Sequence, residues 1–129
     1  MTWEEAKTYC ENLGGHLATI TSEEEQKAIE SLLESGTKKQ YWIGMKRVGD
    51  KMQWITNEPY VYKNWDNGEP NANNKRGFKE EYVHIYNAPN PAVYGSKRFK
   101  WNDMYNDNTF PNEETFFCID NVGLICEFD

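Results

Sequence analysis

What this chain lacks limits it before anything else does. It has no apolar run of the roughly 18 residues needed to cross a bilayer, and no apolar signal segment precedes Thr2. It has no surplus of basic residues: 14 Lys and Arg stand against 21 Asp and Glu, a net charge of -7. That balance disfavours nucleic acid and anionic membrane, which select basic patches, and it suits a cation. No Pro/Gly/Ser-rich stretch, block of like charge or internal repeat divides the 129 residues, so the sequence predicts a single domain over 1–129 with one core. The cysteines lack an even count, being Cys10, Cys118 and Cys126.

What is present gives that domain a core and an order of elements. A hydrophobic content of 38% and an aromatic content of 15% are enough for a packed interior. A Cys10–Cys126 bridge would close nearly the whole chain and contribute roughly 4 to 5 kcal/mol by chain entropy, in an oxidising compartment. The alternative is three reduced thiols in a cytosolic protein. Thr2-Trp3-Glu4-Glu5 forms a capping box, and Trp3, Ala6, Tyr9, Cys10 and Leu13 then recur at helical spacing until Gly14-Gly15. Ser22 and Glu25 open a second helix running to about Ser35, with Ala28, Ile29, Leu32 and Leu33 as its inward face. Strands are expected at 17–20, 42–45, 53–55, 82–86, 98–101 and 123–128, with a turn at Gly49-Asp50 and a long polar loop over 57–79. Helices first and strands later define an α+β class.

The chemistry concentrates in Glu69-Pro70-Asn71, Glu80 and Trp101-Asn102-Asp103. Carboxylates and carboxamides are the hard oxygen donors that Ca²⁺ selects over nitrogen or sulfur. Asn71 and Asn102 also carry NH₂ groups that can donate to a bound hydroxyl while their carbonyl oxygens face a metal. A sugar hydroxyl can at once meet the metal, donate to a carboxylate and accept from an amide.

Several segments, taken in order, resemble the C-type lectin domain over nearly the whole chain. They are Trp3-Glu4-Glu5-Ala6 leading to Cys10, Gly15-His16-Leu17-Ala18, Trp42-Ile43-Gly44, Trp65 ahead of Glu69-Pro70-Asn71, Trp101-Asn102-Asp103, and Ile125-Cys126-Glu127. The resemblance implies a C-type lectin-like fold, with two helices flanking small antiparallel sheets and a long loop region carrying the ligand site. It implies a Cys10–Cys126 disulfide and a cis Pro70. It assigns Ca²⁺ to Glu69, Asn71, Glu80, Asn102 and Asp103, the last with its backbone carbonyl as well, and a sugar to Glu69, Asn71, Glu80 and Asn102. Glu-Pro-Asn, as opposed to Gln-Pro-Asp, goes with mannose, fucose, glucose or N-acetylglucosamine type sugars in this family. The expected partners are glycans or glycoproteins, met outside the cell.

The chain also departs from the family pattern. Tyr82 stands where an inner cysteine is expected, which leaves Cys118 without that mate, and the stretch 104–117 is longer than the pattern allows. The chain opens on a helix cap with no strand before it, which reads as a domain excised from a longer protein. Ala72 and Lys46 occupy places where a second calcium would need acids. Trp3, Trp42, Trp54 and Trp101 read as core aromatics, His16 as packing near the glycine turn, and His84 as part of an alternating strand. The competing function is a protein-binding or adhesion module of the same fold. A glycosidase built on Glu69, Glu80 and Asp103 is disfavoured, because carboxylates held on calcium are poor proton shuttles.

Overall fold

The computed structural model describes residues 1–66, 68–70, 81–88, 97–104 and 122–129. Asn71, Glu80 and Cys118, and the 104–117 stretch beyond Met104, lie outside them.

Helix α1 spans Trp3–Asn12, and both halves of its capping box form: Glu5 N donates to Thr2 Oγ1, and Thr2 N to the Glu5 carboxylate. Gly14, at φ 91, turns the chain away from it. Trp3, Ala6 and Cys10 are buried, but the expected stripe is too wide, for Tyr9 is 50% exposed and Leu13 56%. Tyr9 lies roughly a quarter-turn round the axis from that seam, and Leu13 caps the helix from beyond its last residue. Helix α2 spans Glu23–Leu33, N-capped by Ser22. Its buried residues are Gln26 and Leu33, whereas Leu32 is 57% exposed and Ala28 is exposed. The inward face is rotated by roughly a quarter-turn from the apolar pattern. Gln26 can turn inward because the interior offers it partners, Trp101 Nε1 and the Phe99 carbonyl, each at 3.0 Å.

The strands are β1 His16–Leu17, β2 Gln40–Val48, β3 Lys51–Trp54, β4 Tyr82–Tyr86, β5 Trp101–Met104, β6 Val122–Leu124 and β7 Cys126–Glu127. Strands β1 and β7 pair antiparallel, bringing the two ends of the chain together, and the Cys10–Cys126 bond spans 116 residues beside them. The larger sheet runs β3-β2-β4-β5, with β6 parallel to β2. Gly44 lets β2 pass close over β1: a Cβ there would stand 2.6 Å from the Leu17 carbonyl. Only two residues of the expected 17–20 strand pair, although Ala18 and Ile20 are buried. The expected 98–101 strand begins instead at Trp101, because the chain turns at Arg98 and Phe99, the latter at φ 73.

Both sheet faces are covered. One carries Trp42, Met104, Trp3, Ala6 and Cys10; the other carries Ile43, Met45, Val83, Ile85, Trp54, Trp101 and Leu33. All four tryptophans read as core are fully enclosed or nearly so. The architecture is α+β, two helices with antiparallel sheets, as expected.

Candidate functional site

Strand β5 and the turn beside it carry the candidate donors. Trp101 N donates to the Asn64 carbonyl and Asp66 N to the Trp101 carbonyl, both at 2.9 Å, so the incoming loop is laced along the outer edge of β5. The side chains repeat the stitch: Asn64 Nδ2 donates to the Phe99 carbonyl at 2.9 Å and Lys100 Nζ to Asn64 Oδ1 at 2.8 Å. Trp65 sets its ring edge-on to Trp101 and gives its indole N–H to Tyr60 Oη at 2.6 Å. From that anchored point a short turn, Glu69 N to the Asp66 carbonyl at 3.1 Å, delivers Glu69 and Pro70 next to β5. The Glu69–Pro70 peptide bond is cis. One Glu69 carboxylate oxygen, Oε2, is shielded from solvent.

Asn102 and Asp103 follow each other in β5, so their side chains leave on opposite faces of the sheet. Asn102 points to the α1 side and is 4% exposed, with Nδ2 2.8 Å from His84 Nε2 directly across the ladder. His84 is enclosed between Trp42 and Tyr86, both edge-on. Burial disfavours its charged form and pushes its pKa down to about 3, so the ring is neutral and Nε2 can accept the amide proton. That bond turns Asn102 Oδ1 away from the imidazole.

Asp103 projects to the other face, where Arg47 Nη2 donates to its Oδ2 at 2.8 Å. The Asp103 side chain is wholly buried and that of Arg47 is 17% exposed. Arg47 is itself fixed, its N–H donating to the Glu81 carbonyl at 2.7 Å. Nothing in the sequence announced this pair, whose members are 56 residues apart. His84 as the partner of Asn102, and Gln26 as the partner of Trp101, were likewise not legible as such.

Of the expected donors, then, the structure brings the Glu69 turn beside β5 and sets Asn102 and Asp103 back to back; Asn71 and Glu80 lie outside the described residues. As a donor set these are the hard oxygens that Ca²⁺ takes. Glu69 and Asn102 each supply an oxygen of that kind. Asp103 fits Ca²⁺ only by giving up Arg47.

Polar groups are presented here by a loop laced to a sheet edge, the setting in which binding groups commonly sit. The family model for the Lectin C-type domain matches residues 1–128, and the chain belongs to that family, whose members generally bind carbohydrate. It is 33% identical over 121 residues to human chondrolectin, covering 80% of this chain and 42% of that protein. The chain spans less than half the length of such curated relatives. Among solved structures, the cow C-type carbohydrate-recognition domain of CD23, studied with a GlcNAc2Man3 oligosaccharide, matches with a TM-score of 0.63 and 33% identity. That match covers 82% of this chain and 71% of that one. A calcium-independent type II antifreeze protein matches at 28% identity and a TM-score of 0.58, over 81% of this chain and 69% of that one. The fold is thus C-type lectin-like, and the Cys10–Cys126 pairing that the resemblance implied is present. Among the described residues no helix is long and apolar enough to cross a membrane.

Proposed function

We propose that this domain binds glycans bearing mannose, fucose, glucose or N-acetylglucosamine type sugars, with the help of one Ca²⁺ held by Glu69, Asn71, Glu80, Asn102 and Asp103. The observation that carries the reading is the placement of Glu69 and Pro70, by the stitched 64–66 segment, next to the strand of Asn102 and Asp103. When bound, the ion supplies a hard Lewis centre with coordination positions left over for vicinal hydroxyls. The chain's own part is hydrogen bonding: carboxylates of Glu69 and Glu80 accept from sugar hydroxyls, and the carboxamide of Asn71 donates to them. Asn102 is only 4% exposed, and with one N–H on His84 it suits the metal better than a ranging sugar. Nothing in this arrangement calls for bond cleavage, and the relatives carry the names of binding proteins. The family's disulfide and the acidic charge support an extracellular setting, secreted or at a cell surface as one module of a longer protein.

A shallow site of few contacts gives weak monosaccharide binding, with avidity supplied by repeated copies. A glycan array run with millimolar calcium and then with chelator tests the reading. Retention on mannose-type glycans that disappears with chelator supports it. Retention unchanged by chelator overturns the metal's role, and a blank array on a domain whose melting temperature still rises with calcium points to a protein ligand instead.

A further inference from the structure

The Arg47 guanidinium holds one of the carboxylates assigned to the proposed metal site. We propose that Arg47 is a resident cation for Asp103, competing with Ca²⁺ for that carboxylate and so setting the calcium concentration at which the glycan site becomes competent. The inference rests on the reading of the site as calcium-assisted and adds to it a residue outside the donor set.

Three observations carry it. The Asp103 side chain is wholly buried, so its carboxylate needs a charged partner, and Arg47 supplies one at 2.8 Å without any metal. Arg47 is not a roaming surface side chain: it is largely enclosed, and its backbone is bonded to Glu81, the residue after the expected ligand Glu80. Finally, Asn102 and Asp103 leave β5 on opposite faces, so an ion that draws on the Asp103 carboxylate meets it on the face where the Arg47 guanidinium already stands. A guanidinium and a divalent ion cannot share one buried carboxylate without repelling each other, because the interior screens them poorly. The pair therefore acts in two ways. It keeps β2 and β5 tied in the metal-free domain, and it charges calcium binding with the cost of displacing Arg47.

The test is a calcium titration of the whole chain, read by the melting temperature and by Tb³⁺ luminescence sensitised through the tryptophans, for wild type and Arg47→Gln. The expected result is a metal-free Arg47→Gln that melts lower than wild type but binds the ion at least tenfold more tightly. Adding Asp103→Asn to Arg47→Gln should erase that gain. Should Arg47→Gln fail to fold, Arg47→Lys replaces it: the ammonium lacks the planar fork, holds the carboxylate less well, and should still lower the calcium midpoint. Equal calcium affinity in wild type and the folded variant overturns the role of Arg47 and leaves the glycan reading standing. Absence of ion binding in every variant overturns both.

Discussion

Gln26 on α2 accepts the indole N–H of Trp101 at 3.0 Å and gives its own amide to the Phe99 carbonyl at 3.0 Å. A single buried carboxamide thus joins the second helix to the strand that carries Asn102 and Asp103. Replacing it with Leu leaves a buried indole N–H and a carbonyl without that partner, so Gln26→Leu should cost about 2 to 3 kcal/mol in urea unfolding. A stability unchanged in Gln26→Leu would show that this tie contributes nothing.

Removing the Cys10–Cys126 bond, which closes a loop across 116 residues, should destabilise the domain by roughly 4 to 5 kcal/mol on the chain-entropy model. The comparison is Cys10→Ala/Cys126→Ala against wild type, by denaturant midpoint under non-reducing conditions. A loss below about 1 kcal/mol would mean that the β1–β7 pairing already holds the ends in the unfolded ensemble.

His84 titrates low because burial opposes its charge, at about 3 in the folded state against 6.5 for an exposed ring. The unfolded chain therefore takes up a proton first as pH falls. The contribution to stability is complete above about pH 6.5, shrinks as pH drops, and is lost by about pH 3; its full size is on the order of 5 kcal/mol. Unfolding measured from pH 7 to 4 should be steeper in wild type than in His84→Gln, which has no imidazole to titrate. An imidazole found by NMR to protonate near 6 in the native state would contradict this.

Glu69→Gln keeps the size of the side chain and removes its charge. On the proposed site it should abolish calcium-dependent retention on mannose-type glycans, a loss of at least about tenfold in affinity, given the charge-assisted contacts it removes. Because Glu69 lies on a turn and is not a core residue, the metal-free urea midpoint should move by less than about 0.5 kcal/mol. Full glycan retention in this variant would remove Glu69 from the site.

What was legible in the sequence was what depends on neighbours in the chain. The Thr2–Glu5 capping box is a four-residue device, and it formed as written. The Gly49-Asp50 turn joins two strands that pair in register from Val48 and Lys51 outward. Strand β4 spans the expected 82–86 residue for residue, although it is covered on both faces and its burial does not alternate. Where apolar spacing alone was the guide it misled, as at Tyr9 and on α2, because burial is decided by what lies opposite. Ala28 and Leu32 meet solvent, while Gln26 finds Trp101.

The candidate site divides along the same line. The donor types, their order and the motif flanking Pro70 are properties of the sequence, and so is the family, since a series of short motifs in fixed order needs no coordinates. The orientation of those donors is not. Starting β5 at Trp101 rather than at Arg98 places Asn102 and Asp103 on a strand, and a strand's twofold period then sends one to His84 and the other to Arg47. Both partners come from other strands, 18 and 56 residues away, and were chosen by the register of the sheet. Sequence alone determined which oxygens the domain offers; only the tertiary structure decided which are already held, because a buried carboxylate takes whatever cation the fold brings within reach.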